Sequence, residues 1–394
     1  MKLFTKPKIV LVVVLIAFVA TIIIPCISQA IPAFARKYRM SCNTCHAPIP
    51  RLKAYGDDFA GNGFVLADQD APRFYVDTGD EELDLIREFP FAVRMDGYLK
   101  YQSETDKDFD FSAPYNLKLL SGGALTKDIA YYFYFYFSEH GEIVGIEDAY
   151  LMFNNLFGQD LDVYIGQFAV SDPLFKGEVR LTYEGYQIYK ARVGDSSSSN
   201  LSYDRGLMVT LGLETGTDII LEIVNGNGLP EADDFRVFDN DKYKNFAGRI
   251  SQDVAEFLRL GAFGYYGQEG MTYTNKLWMA GGDMTLAYDD KLELNLQYLH
   301  RNDDNPCFEE VKPPEVETKG GFAELIFMPN GERSRLYGTL LYNKIDSDDD
   351  NIDYESFTTH IGYMVQTNLR LIAENVYDIE NEEHKVIVGF VSGF

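Results

Sequence analysis

Ile129-Ala130-Tyr131-Tyr132-Phe133-Tyr134-Phe135-Tyr136-Phe137 places Ile129, Phe133, Phe135 and Phe137 on one side of an extended chain, with Tyr131, and Ala130, Tyr132, Tyr134 and Tyr136 on the other. One side suits lipid, and the hydroxyl-bearing side suits a wet interior. Leu292, Leu294, Leu296 and Tyr298 alternate in the same way with Lys291, Glu293, Asn295 and Gln297, as do Leu369, Leu371 and Ala373 with Arg370, Ile372 and Glu374. The first such segment sets Phe91, Val93, Met95, Leu99 and Tyr101 against Arg94, Asp96, Tyr98 and Lys100. A soluble sandwich also alternates, but many segments of about ten residues each are the signature of a membrane-spanning barrel.

Counting these segments from Phe91 to Phe394 predicts sixteen strands. An even antiparallel barrel joins its strands by short turns at one end and long loops at the other. The sequence offers both: turns at 122–128, 214–218, 288–291 and 366–368, and longer acidic loops between them. The chain closes on Val386-Ile387-Val388-Gly389-Phe390-Val391-Ser392-Gly393-Phe394, alternating and ending in Phe, which resembles the C-terminal signal of bacterial outer-membrane barrels. Composition agrees, with 27 Tyr, 28 Phe and one Trp. The fold class is therefore mainly β, an outer-membrane antiparallel barrel over residues 89–394.

The N-terminal part reads differently. Lys2, Lys6 and Lys8 precede an apolar block at 9–24, and Ser28-Gln29-Ala30 puts small residues where a signal peptidase reads, so residues 1–30 are expected to be a cleaved secretory signal that takes Cys26 with it. The block is short for a spanning helix, which needs about 20 apolar residues. Residues 31–88 then form a small separate unit, in which Leu52, Tyr55 and Phe59 recur at helical spacing before Gly61 and Gly63 end the pattern.

That unit carries Cys42-Asn43-Thr44-Cys45-His46. Two cysteines three apart followed by histidine form the attachment pattern of c-type haem, each thiol adding to a vinyl group while the imidazole ligates iron. A disulfide, a thioredoxin-like pair and half of a zinc site are the alternatives. No second C-x-x-C completes a zinc site, and no βαβ pattern surrounds the pair. The expected cofactor is one haem c on Cys42 and Cys45, with His46 as proximal metal ligand. Candidates for the distal ligand are Met40, adjacent in sequence, and His360, which parity turns into the lumen; the other histidines are His140, His300 and His384.

The chain carries 61 acidic against 35 basic residues, a net charge of −26, which excludes nucleic acid as a partner and favours cations. Asp346, Asp348, Asp349, Asp350, Asp353 and Glu355 fall in one expected outer loop. Asp303, Asp304, Glu309, Glu310, Glu315 and Glu317 fall in another. Such carboxylates suit divalent cations or calcium-bridged lipopolysaccharide, and equally a solvated loop face. Cys307 is left without a partner and without a role. No acid–base pair, nucleophile triad or phosphate loop is visible, so any enzymatic activity is of the electron-transfer oxidoreductase kind.

With these features together, the chain resembles the fused monohaem cytochrome-porins of the bacterial outer membrane, whose best-known members are iron oxidases. The likeness lies in Pro32-Ala33-Phe34-Ala35-Arg36, Met40, the C-x-x-C-H, Pro50-Arg51-Leu52 and Gly56. It continues in Glu147-Asp148-Ala149-Tyr150-Leu151 and Ser171-Asp172-Pro173-Leu174-Phe175-Lys176. The resemblance implies electron transfer from extracellular Fe(II) through the haem to a periplasmic c-type cytochrome, an Fe(II):cytochrome c oxidoreductase. The barrel's apolar band is about 25 Å tall, so the small unit is expected to plug the lumen on the periplasmic side. Outward electron export to an extracellular acceptor, and a diffusion porin with a haem-bearing gate or sensor, are the competing functions.

Overall fold

A computed structural model describes residues 33–66, 75–103, 109–194 and 197–394. The expected signal at 1–30, Cys26 included, lies outside the described residues. No described helix is long and apolar enough to cross a membrane, and the chain's spanning elements are strands.

The strands are β1 (Phe91–Gln102), β2 (Phe109–Ala124), β3 (Ile129–Glu139), β4 (Gly145–Phe153), β5 (Leu161–Ala169), β6 (Tyr203–Leu213), β7 (Thr217–Val224) and β8 (Asn245–Ala255). They continue as β9 (Leu258–Glu269), β10 (Asn275–Tyr288), β11 (Leu292–Asp303), β12 (Val316–Phe327), β13 (Leu336–Ser347), β14 (Tyr354–Gln366), β15 (Leu369–Asp378) and β16 (Glu383–Gly393). Each pairs antiparallel with its neighbours in sequence, and β1 pairs with β16, so the sixteen strands close into one barrel without an edge. Phe394 completes the seam, its backbone exchanging hydrogen bonds with Val93 at 2.6 and 2.8 Å.

Alternation decides which residues face in. In β14, Thr358, His360, Gly362 and Met364 are buried while Phe357, Thr359, Ile361 and Tyr363 are exposed. In β3, Tyr134 and Tyr136 are buried and Phe137 is exposed. The exterior therefore carries Leu221, Phe246, Ile250, Trp278, Leu340, Ile361 and many similar side chains. Apolar surface of this extent is what a bilayer covers. One turn is shorter than its glycines suggested. Gly122, Gly123 and Ala124 remain in the ladder opposite Tyr132, Tyr131 and Ala130, leaving a turn at 125–128. Here glycine provides room: a Cβ on Gly122 would lie 2.9 Å from the Tyr132 ring and 3.1 Å from Phe64.

Two segments enter the barrel. Residues 170–194 and 197–202, between β5 and β6, fold inward and are fastened to the far wall. The backbone N–H groups of Tyr183 and Glu184 donate to the Glu374 carboxylate at 2.7 and 2.8 Å. Tyr186 donates to Glu324 at 3.0 Å and stacks on Phe322 with 4.1 Å between centroids. Leu174, Leu181, Ile188 and Val193 are buried along the same path.

The second segment is the N-terminal unit, which contains α1 (Ala33–Tyr38), a 3-10 turn at Cys42–Thr44, and α2 (Ala54–Gly61) at the helix expected around Leu52, Tyr55 and Phe59. Its core is aromatic: Phe34 stacks on Phe64 at 4.9 Å and meets Phe59 edge-on at 5.4 Å. Phe64 also stacks on Tyr132 of the barrel wall at 5.1 Å. Gly63 sits at φ +69°, and a Cβ there would run into Asn154 and Ala130 at 2.3 and 2.5 Å. Arg51 is ion-paired with Glu293 of β11, and Lys53 with Glu332 at 2.7 Å. So small an apolar core needs this wall.

Candidate functional site

Cys42, Cys45 and His46 sit where the chain reverses around Pro48 and Pro50. Ser41 opens the 3-10 turn, its Oγ accepting from the Asn43 N–H at 3.4 Å. The N–H of Lys53 returns to the Cys45 carbonyl at 2.9 Å, and that of Ala47 to the Arg51 carbonyl at 3.1 Å. α2 then packs on the motif so closely that a Cβ on Gly56 would stand 2.4 Å from the Cys45 oxygen. No disulfide joins Cys42 to Cys45, and burial raises the pKa of each.

His46 Nδ1 is 2.9 Å from the Pro50 carbonyl. Burial lowers the imidazole pKa, partly offset by backbone carbonyls, so the ring is neutral near pH 7. A carbonyl only accepts, so the proton sits on Nδ1 and Nε2 keeps its lone pair. That is the tautomer a metal-ligating histidine needs.

The three motif residues line one cavity of about 270 Å³ between the N-terminal unit and the barrel wall. The unit contributes Phe34, Met40, Leu52, Phe59 and Phe64. The wall contributes Val93, Arg94, Lys118, Tyr132 and Tyr150, and the inward loop adds Lys176 and Glu178. The cavity is thus apolar around the cysteines, while towards the barrel Arg94, Lys118 and Lys176 stand among the carboxylates of Asp148, Asp172 and Glu178. Two cysteines, an imidazole with a free Nε2 and apolar side chains around them are the groups a covalently attached haem uses, and in that respect the residues present fit one.

Met40 lines this cavity; His360 does not. His360 is buried in β14 with Nδ1 2.7 Å from Glu374, the carboxylate that also holds Tyr183 and Glu184. Parity could place His360 inside the barrel but not at a height or position around the wall. Arg94, Lys118, Tyr132 and Lys176 escaped the sequence reading, because nothing local in sequence shows which lumen residues meet the plug. The Ser171–Lys176 stretch was the one available signal.

Beyond the cavity the lumen is divided. Lys118 is ion-paired with Glu178, and Arg94 donates to the Glu178 backbone oxygen at 3.3 Å. Burial alone would raise the Glu178 carboxyl, but Lys118 and Arg94 overcome it and hold the pKa at about 2. This cluster separates the cavity from a vestibule of about 520 Å³ at the long-loop end. Tyr134 crosses the partition: its ring lies 6.2 Å from Tyr132 and 5.6 Å from Tyr136, and its hydroxyl donates to Glu147 at 2.7 Å. A third space of about 1020 Å³ lies at the tight-turn end.

The acidic outer loops use several carboxylates internally. Asp349 accepts from the Gly194 N–H at 3.0 Å, Asp348 from that of Glu317 at 3.0 Å, and Asp304 pairs with Lys312 at 2.8 Å. Among the described residues no group of three or more His, Cys, Asp or Glu is disposed to hold a metal ion. Cys307 is exposed and free.

No family model and no curated protein matches the chain. Solved structures do. An anion-selective porin from Comamonas acidovorans superposes with a TM-score of 0.57 at 9% identity, covering 78% of this chain and 99% of the porin. The barrel has the porin fold. The outer membrane channel DcaP of Acinetobacter baumannii gives 0.56 at 14% identity over 77% of this chain and 96% of its own. OmpT of Vibrio cholerae, in a form lacking loop L8, gives 0.53 at 13% over 78% and 99%. At such identities the likeness is one of fold.

Proposed function

We propose that this chain is an outer-membrane electron conduit: a porin-type barrel housing one haem c, through which an extracellular donor, Fe(II) in the reading the resemblance favours, delivers electrons to a periplasmic cytochrome. The observation that carries it is the convergence of Cys42, Cys45 and a Nδ1-protonated His46 on one cavity at the barrel wall. Cys42 and Cys45 would hold the macrocycle through thioethers, and His46 Nε2 would ligate its iron, with Met40 the other cavity-lining side chain able to do so. Bound there, haem supplies a one-electron Fe(III)/Fe(II) couple.

The chain's own residues do the rest. Apolar side chains of the N-terminal unit exclude water, while Arg94, Lys118 and Lys176 form a charge-balanced barrel side with Asp148, Asp172 and Glu178. The Arg51 and Lys53 ion pairs keep the unit seated. Short turns face the periplasm in such barrels and long loops the exterior, so the cavity is on the periplasmic side and the vestibule opens outward. The porin fold favours a second reading, a diffusion pore in which the N-terminal unit is a gate.

Anaerobic visible spectroscopy of the detergent-solubilised oxidised protein during Fe(II) addition tests the proposal. Sharp reduced c-haem bands are expected promptly. Reduction by dithionite but not by Fe(II) would transfer the conduit to another donor or to outward export. A haem-free protein with steady bilayer conductance would make it a diffusion pore.

A further inference from the structure

The chamber of about 1020 Å³ at the tight-turn end is lined by eleven acidic and six basic side chains, an excess of five carboxylates. Most of its cations are engaged. Arg51 and Lys53 pair with Glu293 and Glu332, and Arg259 with Asp218 and, at 2.7 Å, with Asp253. Arg249 pairs at 2.6 Å with Asp283, which lies outside the lining. Arg180 donates to the carbonyls of Gly177 and Tyr183 at 2.7 and 3.3 Å. Lys176, which is exposed, stands near Asp57 and Asp172 but makes no ion pair with either.

Asp57, Asp58, Asp160, Asp162, Asp172 and Asp290 therefore line the chamber without an ion pair among the described residues, and so does Glu324. Asp57 and Asp58 are exposed on α2, as are Asp160 and Asp290 in the turns before β5 and β11. Glu324 differs from these. It is only 2% exposed and lies on β12 opposite Asn295, three residues or about 10 Å in from the strand end at Leu292. Its Oε2 accepts from Tyr186 at 3.0 Å and from Asn295 at 3.2 Å, whereas Oε1 is buried with no hydrogen-bond partner among the described residues. A buried carboxylate oxygen without a donor is costly, and a donor entering from the chamber removes that cost.

Between the carboxylates the wall is apolar, with Leu174, Phe175, Leu181, Leu211, Ile326 and Met328, a surface that a hydrated metal ion does not use. We infer that the tight-turn chamber binds a linear organic polyamine, its ammonium groups on Glu324 and on the carboxylates of the turns and α2, its methylene segments along the apolar wall. Charged N–H donors make the strong hydrogen bonds to carboxylates, and the aliphatic stems between them pack on apolar surface. The net charge of −26 draws cations of every kind; the buried acceptor and the apolar wall select amines among them. The inference goes beyond the conduit reading and stands whether or not haem is attached. Of the seven carboxylates, only Asp172 also lines the cavity of the motif.

Isothermal titration of the full chain in detergent, with spermidine and with Mg²⁺ at constant ionic strength, tests this. Spermidine should bind at least about tenfold more tightly than Mg²⁺, a difference of about 1.4 kcal/mol. Glu324→Gln, which keeps the side chain's volume and removes its charge, should weaken spermidine by a similar factor. Asp160→Asn with Asp290→Asn should weaken it in the same direction without touching a buried group, and carries the test if Glu324→Gln does not assemble. Asp346→Asn with Asp350→Asn, at the long-loop end, should change nothing. Unchanged heat-modifiable gel migration certifies folding. No spermidine binding, equal affinity for Mg²⁺, indifference to Glu324→Gln in a folded chain, or equal losses from the turn and long-loop variants would overturn the assignment.

Discussion

His46 and Pro50 are joined by a hydrogen bond of 2.9 Å, imidazole Nδ1 to backbone carbonyl. It fixes the ring's tautomer and leaves Nε2 as the free ligand atom, on the residue that directly follows Cys45. If this is an iron ligand, His46→Ala should leave the thioether bonds intact while shifting the Soret band and lowering the midpoint potential. Cys42→Ala with Cys45→Ala should remove covalent haem altogether. Pyridine haemochromogen spectra after denaturing electrophoresis separate the two results.

The turn that presents Cys45 depends on a missing side chain. In Gly56→Ala the new Cβ would meet the Cys45 oxygen at 2.4 Å and Leu52 Cδ2 at 3.1 Å. Since one contact is backbone, α2 must shift, at a cost of about 1 to 3 kcal/mol. The expected outcome is a lower yield of covalently attached haem with normal barrel assembly, measured as haem absorbance per unit of heat-modifiable protein.

Seating of the N-terminal unit should be electrostatic in part. Each of the Arg51–Glu293 and Lys53–Glu332 pairs is partly exposed, so each contributes about 1 kcal/mol or less. Single variants should hardly matter. Arg51→Ala with Lys53→Ala should raise single-channel conductance in planar bilayers, more so in high salt.

Glu374 holds the inward loop through two backbone N–H groups and meets His360 as well. Glu374→Ala leaves those buried donors unpaired, at about 1 to 3 kcal/mol each. Larger and noisier conductance should follow, together with protease cleavage within 170–194. His360→Gln should reproduce part of this effect and leave the haem spectrum unchanged.

Glu178 links acid stability to the partition. Its folded pKa of about 2 lies below the ordinary 4.5, so its ionised form favours the fold. That stabilisation is fully present above about pH 4.5 and is lost as pH falls towards 2. Thermal melting of the wild-type chain should decline across that window. In Glu178→Gln the decline should be smaller and the melting temperature at pH 7 lower.

The barrel was legible because lipid imposes it. Sixteen alternating segments, the closing Phe394 and the inward parity of His360 all follow from strands that must be apolar outside. Gly122 and Gly123 misled the turn boundary, since their lack of side chains serves Phe64 and Tyr132 across space. The motif residues were visible in sequence, but their surroundings were not. Lys118 and Lys176 reach the cavity through barrel closure and an infolded loop, and neither leaves a local pattern.

One measurement tests the central claim most directly: the pyridine haemochromogen spectrum and intact mass of the chain purified from outer membranes of cells that mature c-type cytochromes. The account predicts one covalently bound c-type haem per chain, absent when Cys42 and Cys45 are replaced. A chain at its haem-free mass, with both thiols titratable, would contradict it.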